Sequence, residues 1–200
     1  YASLGRNQLL KEIRENGIEW LNVFAVDNVL QQIADPCFVG AVLESGRSCG
    51  AKVVAKVSPE EKVGVLCLED GKPSIVEYYE MTEEMRNQRE ADGTLSYGYG
   101  VILNYLFSLE SLDKTLEVKL PLHRACKKIR CMLPDGTVVQ PEEPNAWKFE
   151  TLALDLVRLQ ESCLAYEVER EKEFAPIKNQ TGADSADTAR DLLRKNHWIL

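Results

Sequence analysis

The chain has 200 residues, with 24 Lys+Arg against 32 Asp+Glu, a formal charge of -8 and 44% hydrophobic residues. This usage is that of a folded globular protein and excludes a disordered chain, which would lack apolar material to bury. The acidic balance argues against a nucleic-acid surface, whose counterion release needs a basic face. No apolar run reaches the roughly 18 residues of a membrane helix, and length predicts one domain or one and a half at about 150 residues each.

Residues 6–15 carry Leu9, Leu10 and Ile13 at helical spacing, and Gly17 stops the pattern. The continuous apolar run 20–26 predicts a strand buried on both faces, as in parallel sheets, leading straight into Asp27-Asn28. Asp35-Pro36 reads as N-cap and first turn of a helix that runs to about Ser45 before Gly46. Strands are expected over 51–57, 63–68 and 74–79, the last two joined by the Asp70-Gly71 hairpin signal. A charged helix is expected over 81–90, then a glycine- and aromatic-rich segment turning apolar over 95–107, then helices near 108–118 and 121–128. Pro134-Asp135-Gly136 and Pro141-Glu142-Glu143-Pro144 mark a turn and a linker-like interval. Phe149, Leu152, Leu156 and Leu159 predict an amphipathic helix over 147–162, followed by a strand at 164–168, a polar loop at 174–184 and a helix at 186–195. Alternating helices and apolar strands with a hairpin argue an α/β domain with a mixed sheet.

The chain starts at Tyr1 with no leader-like pattern and ends inside Asn196-His197-Trp198-Ile199-Leu200, which reads as the start of a buried strand. Both ends are therefore expected to be cuts in a longer protein. The six cysteines, Cys37, Cys49, Cys67, Cys126, Cys131 and Cys163, form no C-x-x-C pair, and His123 and His197 are not at metal-ligand spacing. The expectation is reduced, unpaired thiols and a cytoplasmic protein, with no membrane and no nucleic-acid partner.

Asp27 follows an apolar strand, the position where α/β sheets bind ligands. Its carboxylate either holds a divalent cation against phosphate or caps the next segment. Lys178, in a Pro-x-Lys-Asn loop, either neutralises phosphate as a point charge or is a solvated surface lysine. Glu77 at a strand end either accepts hydrogen bonds from a sugar hydroxyl or faces solvent. Gly98 and Gly100 allow close backbone approach to a ligand or serve turns. No phosphate-binding G-x-x-x-x-G-K-[ST] loop, G-x-S-x-G elbow or H-E-x-x-H motif is present.

A set of short motifs stands in order along nearly the whole chain. It comprises Tyr1-Ala2-Ser3-Leu4; Val26-Asp27-Asn28 with Ala34-Asp35-Pro36 and Phe38; Cys49-Gly50-Ala51-Lys52-Val53-Val54; Val63-Gly64-Val65; and Val76-Glu77-Tyr78. It continues through Lys127-Lys128-Ile129; Pro144-Asn145 with Lys148; Tyr166-Glu167-Val168 with Arg170, Glu171, Glu173 and Phe174; Pro176-Ile177-Lys178-Asn179; and Thr188-Ala189-Arg190. In these the chain resembles the eukaryotic-type UDP-N-acetylhexosamine pyrophosphorylases of the UDP-sugar pyrophosphorylase family. The resemblance implies an α/β, GT-A-like (Rossmann-like) nucleotidyltransferase core, of which residues 1–200 are the C-terminal portion of the catalytic domain. Residues 1–130 would carry the central sheet and sugar-pocket segments, and 131–200 the linker, helix, strand, Lys178 loop and last helix.

The implied reaction joins UTP to an N-acetylhexosamine 1-phosphate, giving a UDP-sugar and pyrophosphate, with Mg2+ (or Mn2+). Asp27 matches the family's metal-binding and catalytic aspartate and Lys178 its phosphate-facing lysine. Gly50, Glu77, Tyr78 and Gly98 match segments that line the sugar pocket. Two departures stand out. The family's N-terminal glycine-rich phosphate loop and uridine-reading residues are missing from this sequence, so the piece alone is expected to be inactive. Where the family has Asn-x-Gly-Asn, this chain has Gly98-Tyr99-Gly100-Val101. The resemblance therefore also admits a pyrophosphorylase for another UDP-sugar, or a paralogue with altered specificity or without turnover that acts as a binding or regulatory protein.

Overall fold

The fold is described from a computed structural model over residues 1–199. Its centre is the strand β2, Cys49–Ala55, of which every residue but the last is buried. Its β-branched residues suit a strand covered on both faces. β2 pairs antiparallel with the long strand β5, Tyr99–Ser108, and parallel with β10, Leu164–Glu167. The other flank of β5 is divided. Its C-terminal half pairs antiparallel with β1, Trp20–Phe24, and Gly100 near its N-terminus pairs with Val65 of the hairpin β3–β4, Val65–Glu69 and Lys72–Val76. The result is a six-stranded mixed sheet, as the alternation of elements predicts.

Helix α3, Pro36–Glu44, begins where the Asp35-Pro36 signal places it, with the Asp35 carboxylate accepting the Cys37 N–H at 2.9 Å. It covers one face of the sheet through Phe38 and Val42, which pack with Leu106. The opposite face is closed by Cys49, Ala51, Val53, Tyr105 and Phe107 packing against Leu112, Leu154, Leu156 and Val157. Leu112 lies on the short helix α5, Leu109–Asp113, and Leu156 and Val157 on α6, Asp155–Arg158. The last helix, α8, Ala186–Lys195, is opened by a Ser185–Thr188 capping box and rests through Ala189 on Leu30 and Ala175.

Between β2 and α3 lies a fully buried lysine. Lys52 Nζ donates to Asp35 at 2.7 Å and to Glu173 at 2.5 Å. Glu173 ends the helical turn α7, Arg170–Glu173. Burial alone would raise the Asp35 pKa, but the Lys52 bond and charge, with the Cys37 and Phe38 N–H groups, hold it below the usual carboxylate range.

Several expectations are corrected. β1 is half-buried rather than buried on both faces, because it pairs only with β5 among the described residues; the doubly buried strand is β2. The predicted helix 147–162 is a strand, β9, Ala146–Glu150, followed by a turn and the four-residue α6. The predicted helix at 121–128 is β9's antiparallel partner β6, His123–Lys127. Trp147 and Phe149 alternate with Lys148 and Glu150, and the backbone pairing follows that period of two. The helix expected over 108–118 shortens to α5, that over 6–15 to α2, Leu9–Glu15, after a short α1, Ala2–Arg6, and that over 81–90 to α4, Glu83–Asn87; Cys131–Met132 and Val138–Val139 pair as β7 and β8 around the Pro134-Asp135-Gly136 turn. Residues 196–199 form no strand, and Trp198 and Ile199 are exposed; Leu200, the rest of that expected strand, lies outside the described residues.

Gly50 faces α3. A Cβ there would stand 2.3 Å from Val42 Cγ2 and 2.9 Å from Phe38 Cε2. Gly50→Ala is therefore expected to lower stability by about 1–3 kcal/mol through overpacking. A urea unfolding midpoint equal to the parent's would contradict this packing role.

Candidate active site

The division of the β5 flank opens a gap. Between the pairs Ala51–Tyr105 and Val53–Val101, one residue of β2, Lys52, opposes three of β5, Ile102, Leu103 and Asn104. The extra residues form a bulge in which Leu103 takes a left-handed φ of 52°. There the Leu103 carbonyl accepts the Ala25 N–H at 2.9 Å, and β1 leaves the sheet into the Asp27 turn.

Two polar side chains fix that turn from opposite sides. Asn104, fully buried at the bulge, accepts from Asn22 at 2.7 Å and donates to Gln31 at 2.8 Å. On the far side the buried Asn28 side chain donates to the Glu173 carbonyl at 2.7 Å and accepts the Ala175 N–H at 2.8 Å. The Ile177 N–H then donates to the Asp27 carbonyl at 2.9 Å, so Lys178 follows directly on the backbone that touches Asp27. The Lys178 and Asn179 N–H groups both donate to the Asp184 carbonyl, folding the loop back under α8.

A cleft of about 260 Å³ results. Its walls are Asp27, Asn28, Phe174 and Lys178 on one side and Lys62, Gly64, Glu77 and Tyr78 on the other, with Val101, Ile102 and Leu103 as floor and Leu154 at one end. Among the described residues, neither the Asp27 carboxylate nor the Lys178 ammonium has a hydrogen-bond or ion-pair partner. Glu77 is pushed above the usual carboxylate range by burial and by the neighbouring Glu80, against the pull of His123 and Lys178. The arrangement brings two lysines, two carboxylates and a phenol to one apolar-floored opening, suited to a ligand with both an anionic and a hydroxylated part.

Of the residues singled out by sequence, Asp27, Lys178, Glu77 and Tyr78 converge here. Gly50 does not: it sits beneath α3, where Phe38 and Val42 leave no room for a side chain. Gly98 does not either. It lines a separate opening of about 650 Å³ with Lys56, Arg89 and Glu167, and its missing Cβ would meet the Leu95 carbonyl at 2.8 Å. Val101, the departure from the family's Asn-x-Gly-Asn stretch, does line the cleft. Gly64, Leu154 and Phe174 line it without having been chosen as site residues; Gly64 and Phe174 stand in the ordered motifs, which is the available signal, and Leu154 has none. A larger cavity of about 740 Å³ lies beside the cleft, but many of its charged groups pair with one another, His123 with Asp155 at 3.0 Å and Arg158 with Glu69 at 2.7 Å.

The UTP–glucose-1-phosphate uridylyltransferase family matches residues 1–192. The chain belongs to this family. It is 40% identical over 203 residues to UDP-N-acetylhexosamine pyrophosphorylase-like protein 1 of Mus musculus, covering 99% of the chain and 40% of that protein. It is 34% identical over 200 residues to UDP-N-acetylglucosamine pyrophosphorylase of Saccharomyces cerevisiae, covering 95% and 42%. A crystal structure assigned as a UDP-N-acetylglucosamine pyrophosphorylase of Entamoeba histolytica superposes with a TM-score of 0.87 at 33% identity, covering 98% of this chain and 50% of that one. The chain thus spans about 40% of the length of these curated relatives. The uridylyltransferase family assignment and the nucleotidyltransferase-type α/β fold agree with the expectation from motifs. Among the described residues, no helix is long and apolar enough to cross a membrane.

Two outcomes follow from this geometry. Asn28→Ala orphans the Ala175 N–H and Glu173 carbonyl, at about 1–3 kcal/mol for each buried unsatisfied group. Proteolysis and hydrogen exchange should show the 174–178 segment loosened first; unaltered protection there would refute the tie. His123 is lowered by burial, but the Asp155 hydrogen bond and the charges of Asp155 and Glu80 outweigh this and its pKa is raised. Its stabilisation is complete below the unfolded value of about 6.5 and is lost as pH rises through the folded value. The melting temperature of His123→Gln should therefore fall furthest below the parent's at acid pH, the gap narrowing towards alkaline pH.

Proposed function

We propose that the protein carrying this chain is a uridylyltransferase that joins UTP to N-acetylglucosamine 1-phosphate, giving UDP-N-acetylglucosamine and pyrophosphate. The observation that carries this is the meeting of Asp27, Lys178 and the adjacent Glu77 and Tyr78, from three separate segments, in one cleft of a chain belonging to the uridylyltransferase family. The reaction is an in-line attack by a sugar-phosphate oxygen on the α-phosphorus of UTP, with pyrophosphate leaving. It needs no covalent catalyst. It needs alignment and neutralisation of charge on the phosphoryl oxygens.

Lys178 supplies a mobile point charge for those oxygens. Glu77 accepts from a sugar hydroxyl, and Tyr78 borders the same pocket. Asp27 offers an unpaired hard oxygen donor, which fits Mg2+ (or Mn2+). No group of three or more His, Cys, Asp or Glu able to hold a metal occurs among the described residues. A single carboxylate fits the way Mg2+ is usually held, through one or two carboxylates with phosphates and water. When bound, that cation would neutralise phosphate charge beside Asp27. Under this reading the remaining phosphate and uridine contacts come from the part of the relatives' length that this chain does not span, so the 200 residues alone are expected to be inactive.

A second reading, altered sugar preference or loss of turnover, is favoured by Val101. It places an apolar side chain on the cleft floor, where a buried sugar hydroxyl or acetamido group would lack a partner at about 1–3 kcal/mol. The full-length protein, assayed for pyrophosphate release with UTP and a panel of sugar 1-phosphates, distinguishes the readings. Turnover highest with N-acetylglucosamine 1-phosphate supports the first. Preference for another sugar, or UDP-sugar binding without turnover, supports the second. Within the first, Lys178→Ala should lower kcat by about 10²–10³-fold with a much smaller change in KM for the sugar phosphate. Unchanged kcat would remove Lys178 from the mechanism.

A further inference from the structure

We propose that Cys49 and Cys163 form a dithiol oxidation site that closes to a disulfide with a low-molecular-weight disulfide such as oxidised glutathione. All six cysteines are free, but these two sulfurs stand 3.5 Å apart. Cys49 opens β2, and Cys163 immediately precedes β10, one rung before the Leu164–Gly50 pair of the parallel ladder. Neighbouring strands lie about 4.8 Å apart. That spacing falls inside the roughly 4.4–6.8 Å range of Cα separations that disulfides span. Closure therefore needs rotation of two side chains rather than movement of a strand.

The two thiols differ in access. Cys49 is buried and Cys163 half-buried, so Cys163 is the sulfur that an external disulfide reaches first. The Cys163 thiolate attacks one sulfur of oxidised glutathione, forming a mixed disulfide and releasing one glutathione thiolate, which takes a proton from water. Cys49 gives up its proton to solvent and attacks Cys163 Sγ, breaking the mixed bond and releasing the second glutathione. The thiol pair loses two electrons and two protons, and oxidised glutathione becomes two reduced molecules. Burial, followed by the Cys163 contact, pushes the Cys49 thiol up, which makes the second step the slow one.

The bond would lie away from the cleft. Cys49 and Leu21 both pair with Phe107 across β5, so Cys49 is level with the start of β1, whereas Asp27 lies past its end. Oxidation would brace β10 against β2 without touching Asp27 or Lys178.

The test uses the whole protein, incubated with oxidised glutathione, unfolded under alkylating conditions and mapped by peptide mass spectrometry. The expected product is a Cys49–Cys163 linked peptide, reversed by dithiothreitol, with a melting temperature about 5 °C or more above the reduced form. Cys163→Ser should abolish the link. Cys49→Ser should hold glutathione on Cys163, and if that variant fails to fold, the half-buried Cys163→Ser still decides the matter. Both thiols remaining free while exposed Cys37 and Cys126 are glutathionylated would overturn the proposal. So would a persistent adduct on Cys163 of the parent protein with no link to Cys49.

Discussion

The structure turns on an ammonium group with no access to water. Lys52 lies in the middle of the most deeply buried strand, and its charge is tolerable there only because two carboxylates meet it. Each carboxylate has a second task. Asp35 caps α3, so the lysine sets where that helix starts over the sheet. Glu173 ends α7, and its own carbonyl accepts the Asn28 amide. A position in β2 thereby fixes the helix above it and the segment before Lys178, and through Asn28 it fixes the turn that carries Asp27. Removing Lys52 leaves two carboxylates uncompensated in the interior, and breaking a buried pair in this way costs about 3–5 kcal/mol where measured in other proteins. That penalty makes the three-way contact hard to relax and keeps the cleft wall in one place.

The gap itself depends on a different constraint. A regular β5 would have let β1 and the β3–β4 hairpin follow the same flank without a break. The bulge at 102–104 interrupts it, and the left-handed Leu103 carries the local strain. The Asn22 and Gln31 amides offset that irregularity by donating to the Tyr105, Ile102 and Leu103 carbonyls, and Asn104 bonds both side chains, so the polar groups at the bulge are not stranded. The cleft is thus a gap in the sheet: residues 62–64 and 77–78, which flank the hairpin, approach from one side and the Asp27 turn from the other.

Much of this was legible in the sequence, for reasons that differ by residue. Asp35-Pro36 announces a helix start through local chemistry alone, and the structure places it there. The ordered motifs carry the family and therefore the fold. Asp27 and Lys178 share a cleft because motif residues at strand ends and loops converge once the sheet is built. What local pattern cannot supply is tertiary competition. Phe149, Leu152, Leu156 and Leu159 carry a helical period, yet Trp147-Lys148-Phe149-Glu150 also carries a period of two. Pairing with β6 decides between them, and no local signal contains that partner. Gly50 was misread for a related reason: a glycine required by two α3 side chains looks the same in a string as one required by a ligand.

The chemistry of the cleft follows from its imbalance. It holds two lysines and two carboxylates, but the groups are not equivalent. Glu77 is partly desolvated and repelled by Glu80, which favours its use as a hydrogen-bonding partner over its use as a bare charge. Asp27 is left with an unpaired carboxylate and no second acidic residue completing a metal-binding cluster among the described residues. One carboxylate is too few oxygen donors to hold a divalent cation firmly, so under the proposed reading the phosphates must supply the rest of its shell. Asp27 would then contribute most once nucleotide is present, with Lys178 acting on the same phosphates from the adjoining strand of backbone. The tie between the Ile177 N–H and the Asp27 carbonyl matters in this light, because it sets the two groups that share one anionic ligand at a fixed backbone separation before the ligand arrives.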